Sequence, residues 1–261
     1  MLPTFDLALP WLWICAVFAL GGFVKGVVGL GLPTVAMGLL SVLMAPAQAA
    51  ALLVVPSFIT NLWQIFGPGF YALLRRLGLM LIGVCAGVAL GAGWLAGPAR
   101  PGGGWPALAL GIALLVYAAL GLLKRRAVVR PAHEPWLGPL VGVATGLVTA
   151  ATGVFVIPAV PYLQALGLAK DDLVRALGLS FLVSTIALGA SLGHGGALPI
   201  DTLTASLAAL LPALLGMALG QWVRARVEAE TFRTVFFCGL LLLGVYLALR
   251  AALPMFAGAS A

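Results

Sequence analysis

One lysine lies among helix-weakening residues inside an otherwise apolar stretch, Phe23–Pro33, which reads FVKGVVGLGLP. An ionisable side chain at membrane depth costs on the order of 3 kcal/mol, and unpaired backbone groups in hydrocarbon add further cost. Protein or a water-filled cavity must therefore surround this stretch. We expect a broken helix that lines an anion path, in which Lys25 attracts the anion and the backbone at Gly26, Gly29 and Gly31 approaches it closely.

Uncharged polar side chains in other apolar segments are candidates for the same site. Asn61 and Gln64 lie about one helical turn apart and share a helix face. Thr145, Thr149 and Ser184 add hydroxyl groups without charge. The predicted substrate-binding set is Lys25, Gly26, Gly29, Gly31, Asn61, Gln64, Thr145, Thr149 and Ser184.

These residues also have explanations that need no ligand. The lysine stem could run along apolar surface and carry its ammonium to the membrane interface. The polar pairs could serve only as hydrogen bonds between helices, which are worth about 0.6 kcal/mol each. Both alternatives stay open on the sequence alone.

Composition places the chain in the membrane. It has 261 residues, of which 63% are hydrophobic and 8% are charged, which is far more apolar surface than a soluble domain of this size buries. The formal charge of +7 is distributed in short basic clusters between apolar segments, as in cytoplasmic loops, and not as a nucleic-acid footprint. We expect a polytopic all-α protein whose environment is the lipid bilayer and which has no nucleic-acid partner.

Nothing in the sequence favours an enzyme. His133 and His194 stand alone at segment boundaries, no ligand spacing for a metal occurs, and no acidic pair lies within an apolar segment. We therefore predict no catalytic residues, no metal and no cofactor, and the oligomeric state is left open.

Eight apolar segments follow one another along the chain, and a helix needs about 20 residues to span the hydrocarbon. Six fit a single span, whereas the first and fifth are too long and contain Gly and Pro partway along. Each of these two is predicted to be a hairpin of two shorter helices, either re-entrant or fully crossing. The segments are Trp11–Met44, Ala47–Phe66, Leu73–Ala96, Trp105–Leu123, Trp136–Leu166, Leu173–Leu192, Leu203–Val223 and Phe232–Leu249.

The two halves of the chain resemble each other. Val116-Tyr117 matches Val245-Tyr246, and Gly87-x3-Gly91 matches Gly216-x3-Gly220, both at an offset of 129 residues. Lys25-Gly26 aligns with Thr145-Gly146. This internal similarity predicts a duplication, with a first membrane repeat at residues 1–123, a basic cytoplasmic linker at 124–135 and a second repeat at 136–261.

The second and sixth segments align at an offset of 124, which pairs Thr60 with Ser184 and Asn61 with Thr185. Basic clusters orient the two copies, because Lys and Arg accumulate in cytoplasmic loops. The clusters require both termini outside and the copies antiparallel in the membrane. We thus expect two inverted repeats, each a broken or re-entrant hairpin followed by three transmembrane helices, as in many secondary transporters. The clusters are Arg75–Arg76, Lys124–Arg130 and Arg224–Arg233.

Three runs carry a family resemblance: GGFVKGVVGLGLP, LLVVPSFITNLWQ and GVATGLVTAATGVFVIP. Together they resemble the TauE/SafE sulfite exporter family, also called the 4-toluene sulfonate uptake permeases. The resemblance implies duplicated helix bundles that move small anions, chiefly sulfite, sulfonates and related sulfur compounds, across the bacterial cytoplasmic membrane. It also implies a multi-pass inner-membrane location and leaves open whether the proton gradient drives transport.

The resulting hypothesis is a secondary transporter or permease for a small sulfur-containing anion. Two alternatives remain at this point. A non-transporting membrane scaffold or assembly factor would use the same polar residues only to join its helices, and a passive anion channel would have a continuous open pore. The anion itself and the direction of transport are not specified by the sequence.

Overall fold

A computed structural model describes residues 5–67, 69–96, 104–123, 128–224, 226 and 229–257. These residues form ten α-helices and two 3-10 turns, as the composition predicts. Eight of the helices are long and apolar enough to cross a membrane. The helices are α1 Phe5–Val28, α2 Leu32–Leu40, α3 Pro46–Ile65, α4 Phe70–Leu90, α5 Trp105–Leu122, α6 Glu134–Thr152, α7 Ala159–Ala165, α8 Lys170–His194, α9 Ile200–Arg224 and α10 Ala229–Ala257.

Both predicted hairpins are present, but their arms are unequal. The first arms, α1 and α6, have 24 and 19 residues, whereas α2 and α7 have only 9 and 7. The expectation of two shorter helices in each hairpin was therefore wrong for the first arm. The reason is the position of the break: Gly29 (φ +86°) and Gly153 (φ +71°) adopt left-handed backbone after a full-length helix is complete.

Each short helix packs beside another helix of the bundle. Gly31 lies beside Phe236 and Gly38 beside Leu243, so α2 follows α10 over about two turns. In the other hairpin, the Tyr162 hydroxyl of α7 lies beside Gly138, close to the end where α6 begins. The second hairpin thus returns to the end of the bundle from which it started.

Glycines set the two closest helix crossings, α1 against α9 and α4 against α6. A β-carbon at Gly22 would lie 2.0 Å from the carbonyl oxygen of Ala213, and one at Gly142 would lie 2.1 Å from that of Met80. Backbones this close leave no room for a side chain, which is how small residues bring membrane helices together.

The two crossings match each other residue by residue. At the first, Gly26 meets Gly220, and at the second, Gly146 meets Gly87. The equivalent positions differ by 146 − 26 = 120 and by 220 − 87 = 133. The offset of 120 agrees with the sequence alignment, but 133 differs by one helical turn from the 129 that the sequence matches indicated.

The central pairs, α3 with α8 and α5 with α10, run antiparallel. Gly178 packs on Gln64 and Ile65 at the end of α3, and Gly189 packs on Val54, nearer the start of the same helix. These two contacts correspond to each other at the aligned offset of 124. Equivalent helices that cross antiparallel are expected of halves related by a twofold axis in the membrane plane. This geometry supports the inverted repeat. Its orientation in a membrane stays a prediction, and so do the bounds of the three predicted domains.

The described members of the basic clusters lie at one end of the bundle, which we term the basic end. There Arg76 bonds Glu134 at the start of α6, and Arg233 donates to the carbonyl of Gly121 at the end of α5. The strongest part of the predicted cytoplasmic linker, Lys124–Arg126, lies outside the described residues.

One polar contact repairs a helix at its proline. Pro56 in α3 has no N–H for the carbonyl of Leu52, and Ser206 of α9 supplies the missing donor at 2.7 Å. The same hydroxyl accepts a hydrogen bond from the Val55 amide at 3.1 Å. This contact joins α3 of the first half to α9 of the second.

Alanine at either crossing glycine should force the backbones apart. Gly22→Ala and Gly142→Ala are each expected to destabilise the protein by about 1–3 kcal/mol, the usual cost of overpacking, and so to lower the thermal unfolding midpoint in detergent. Gly78→Ala is the control, because no atom lies within 4 Å of its β-carbon position. Equal midpoints for all three variants would contradict the glycine-mediated crossings.

Candidate functional site

Lys25 is buried, with 2% of its surface exposed, in the last turn of α1. Its ammonium donates to the Thr60 hydroxyl at 3.0 Å and to the Asn61 side-chain oxygen, both on α3. These two acceptors are neutral, and an ammonium has three donors. No residue that the structure describes engages the third, so a buried positive charge retains capacity for one more acceptor.

The helix break lies one turn beyond Lys25. Gly29 and Gly31 both have positive φ, and the Gln64 side-chain amide donates to the carbonyl of Gly29 at 3.0 Å. No atom lies within 4 Å of a β-carbon built on Gly29. The break therefore borders open space, and α3 supports both the lysine and the interrupted backbone.

Asn61 connects the lysine to the second half of the chain. Its amide nitrogen lies 3.5 Å from the Thr185 hydroxyl of α8, and that hydroxyl donates to the carbonyl of Phe181. Two hydroxyls of the facing helices, Ser57 and Ser180, are buried without a hydrogen-bond partner in the described structure. Unpartnered buried hydroxyls are costly and offer donors to a ligand or to ordered water.

The structure brings some predicted residues together and gives others a different contact. Lys25, Asn61 and Gln64 converge with the break at Gly29. Gly26 instead packs on α9, where a β-carbon would lie 2.3 Å from the Met217 carbonyl oxygen, so its described contact is a helix crossing.

The hydroxyls predicted from the second half form hydrogen bonds within their own helices. Thr145 donates to Val141, Thr149 donates to Thr145, and Ser184 donates to Ser180, each to a carbonyl four residues earlier. All three side chains are buried. Their role in binding a substrate stays a prediction.

Two residues of the cluster, Thr60 and Thr185, are missing from the predicted set. Thr60 is adjacent to Asn61, and Thr185 is its aligned counterpart in the second half. That alignment was the available signal, but a mid-helix threonine usually bonds its own helix. Thr60 does so as well, donating to the Pro56 carbonyl at 2.6 Å while accepting from Lys25.

The two halves differ in polarity where they agree in packing. Lys25 corresponds to Thr145, Thr60 to Ser184 and Asn61 to Thr185. The first half thus contributes an ammonium and an amide where the second contributes hydroxyls. Of the described residues in this cluster, Lys25 supplies the formal positive charge.

The fold and this cluster define a class of protein: a multi-pass helical membrane protein with two interrupted helices and a buried charge beside one of the interruptions, features typical of transporters. A family model described as Sulfite exporter TauE/SafE matches residues 14–247. The chain belongs to this family, whose members are membrane transporters, and the sequence resemblance is confirmed. Comparisons with curated proteins and with solved structures found no match.

Removing the Thr60 hydroxyl should lower the stability of the protein more when Lys25 is present than when it is absent. Thr60→Val keeps the shape but takes one acceptor from the buried ammonium, and hydrogen bonds to charged groups contribute about 1.5–3 kcal/mol. In this double-mutant cycle we expect a larger drop of the unfolding midpoint in the native background than in a Lys25→Met background, where Thr60→Val removes the local bond to Pro56 but no contact with an ammonium.

Thr204→Val provides the control for this cycle. Thr204 is exposed, and its hydroxyl also donates to a carbonyl four residues earlier, at 2.7 Å. Its substitution tests the loss of that local bond alone. A Thr60→Val effect of the same size in both backgrounds would contradict the contact with Lys25.

Proposed function

We propose that this protein is a secondary transporter that moves a small sulfur-containing oxyanion, sulfite or an organosulfonate, across the bacterial inner membrane. Export of sulfite is the form of this activity that we put forward, in keeping with the family description. The observation that carries the proposal is the buried ammonium of Lys25, whose described partners are neutral. A buried charge without a counter-ion is unfavourable, and a bound anion would neutralise it.

Access to the lysine supports a carrier. Lys25, Thr60 and Asn61 are almost fully buried, whereas Val28, Gly29 and Gln64 are half-buried and form the edge of the cluster nearest open space. An occluded site with one thinner edge is the expected geometry of alternating access. A passive channel would instead expose these residues to a continuous pore.

The identity of the polar groups favours an oxyanion as substrate. An ammonium and hydroxyls both donate hydrogen bonds, and donors of this kind bind oxyanion oxygens. The remaining ammonium donor and the hydroxyls of Ser57 and Ser180 are the groups that we assign to the anion, with Thr145, Thr149 and Ser184 as further candidates. Residues that are 0–2% exposed leave little room, so we expect sulfite to be preferred over bulky aryl sulfonates.

Proton coupling, where it operates, has to use the anion or Lys25. The acids whose side chains the structure describes are Glu134, Asp171, Asp172 and Asp201, and each lies in the first turn of its helix. A relay of buried carboxylates is therefore not part of the proposal. Flux measured with the proton gradient collapsed distinguishes coupled transport, which stops accumulating substrate, from uniport, which continues to equilibrate it.

Replacing Lys25 should strongly lower the rate of transport without unfolding the protein. In proteoliposomes loaded with sulfite, Lys25→Met is expected to lower the initial efflux rate by about tenfold or more, because a charge-assisted contact is lost. Its unfolding midpoint should be equal or higher, since a buried charge is replaced by an apolar side chain of similar length. Lys170→Met, at an exposed lysine of α8, is the matched control.

The alternatives give different results in the same assay. Unchanged efflux in Lys25→Met would remove the lysine from the mechanism. Absence of flux for sulfite and for sulfonates with folded protein would favour a scaffold or assembly factor. Flux that rises with concentration without saturation would favour a channel.

A further inference from the structure

A second polar site lies at the basic end and shares no lining residue with the Lys25 cluster, which consists of Lys25, Thr60, Asn61 and Thr185. It is a cleft of about 220 Å³ between α4 of the first half and α6 and α7 of the second. Its charged and hydroxyl-bearing lining residues are Arg75, Arg76, Glu134 and Tyr162. Two arginines against one carboxylate leave the cleft with a net positive charge.

Three groups in the cleft can serve a ligand. Arg75 is exposed and makes no hydrogen bond or ion pair with the residues that the structure describes. Tyr162 is 7% exposed, and its hydroxyl has no hydrogen-bond partner in the described part of the chain. Arg76 forms two hydrogen bonds to Glu134, at 2.7 and 2.9 Å, so a carboxylate already occupies the position that a free oxyanion would take.

The ion pair also holds helices of the two halves together. Arg76 belongs to α4 and Glu134 to the first turn of α6, and the same guanidinium lies 3.5 Å from the carbonyl oxygen of Leu166, just after α7. One arginine thereby connects the first half to both arms of the second hairpin. An anion that replaced Glu134 on Arg76 would release α6 from this contact.

The duplicated fold does not require these charges. By the offsets of the glycine crossings, Arg76 corresponds to Ala209 and Glu134 to Ile14, both buried and apolar, and Arg75 corresponds to Ala208. The equivalent place at the other end of the bundle is therefore built without an ion pair. Structural need alone does not account for a charged cleft in one copy.

We propose that this cleft is a second oxyanion-binding site, in which Arg75, Arg76 and the Tyr162 hydroxyl hold the ligand and Glu134 competes with it. The oxyanion has two possible sources. One is the free anion on its way to or from the Lys25 cluster. The other is the headgroup of an anionic phospholipid, which could reach the cleft because the lining residue Leu79 is exposed on the outer surface. This site stands independently of the transport proposal.

In the test, sulfite is titrated by calorimetry into the purified full-length chain in an uncharged detergent. The substitution Lys25→Met removes binding at the Lys25 cluster. Adding Arg75→Gln should weaken the remaining binding about tenfold, the effect of one charge-assisted contact, and Tyr162→Phe should weaken it by less. Glu134→Gln should instead tighten binding, because the competing carboxylate is neutralised and Arg76 is freed. Arg224→Gln, an exposed arginine at the end of α9, should have no effect.

Glu134→Gln separates a binding site from a merely structural ion pair. If it weakens binding as much as Arg75→Gln does, or if neither variant changes the affinity, the proposal is overturned. A second arm compares nanodiscs of phosphatidylglycerol with nanodiscs of phosphatidylcholine. Arg75-dependent retention of phosphatidylglycerol without sulfite binding identifies the lipid as the source, and loss of both signals refutes the site.

If Lys25→Met does not fold, the chain with native Lys25 can be used to test whether the cleft binds sulfite. Two sulfite molecules should then bind per chain, and Arg75→Gln should leave one. A single sulfite site that depends on Lys25, without Arg75-dependent retention of phosphatidylglycerol, would contradict the cleft, whereas a single site that depends on Arg75 would contradict the Lys25 cluster. The two proposals therefore fail separately.

Discussion

The proposed function depends on one energetic constraint, which is that the helical bundle keeps an ammonium group buried. Lys25 is held by neutral oxygens of α3, and the adjacent break at Gly29 is held by the next turn of the same helix through Gln64. Insertion of such a charge costs on the order of 3 kcal/mol, and hydrogen bonds from neutral partners offset only part of that cost. The hydrogen bonds between α3 and the end of α1 therefore maintain a buried charge that a bound anion would neutralise, and this unfavourable charge links the fold to the proposed transport.

The predicted duplication accounts for an environment that is built twice and charged once. The crossings Gly26–Gly220 and Gly146–Gly87 are equivalent contacts, and each removes side chains from the point where two backbones meet. Close packing of this kind tolerates little variation. The polar positions beside the crossings are buried too but differ between the halves, since Lys25 corresponds to Thr145 while the equivalent glycine crossings are kept. The binding chemistry and the scaffold are in this sense separable.

The sequence predicts the parts of this structure that depend on composition and local backbone, namely the helical class, the long segments and the two breaks. It misplaces what depends on contacts. Gly83, Gly87 and Gly91 recur every four residues, so a sequence match cannot distinguish an offset of 129 from one of 133, and only the helix crossing decides. Thr60 is missed for a similar reason, because its contact with Lys25 joins positions 35 residues apart and depends on how α3 is placed against α1. Several glycines precede Gly29 in α1, and no local rule selects which of them ends the helix.

The same pseudo-symmetry gives a physical reason to expect that the two ends of the bundle open differently. In transporters built from inverted repeats, alternating access arises largely when one repeat moves against the other around the fixed site. Here the ion pair of Arg76 with Glu134 joins the halves at the basic end, whereas the corresponding positions at the opposite end, Ala209 and Ile14, are buried and apolar. An ion pair responds to anions and to ionic strength, whereas an apolar contact does not. The proposed cleft would thus make closure of one side sensitive to the anion, while the other side would be closed by packing alone.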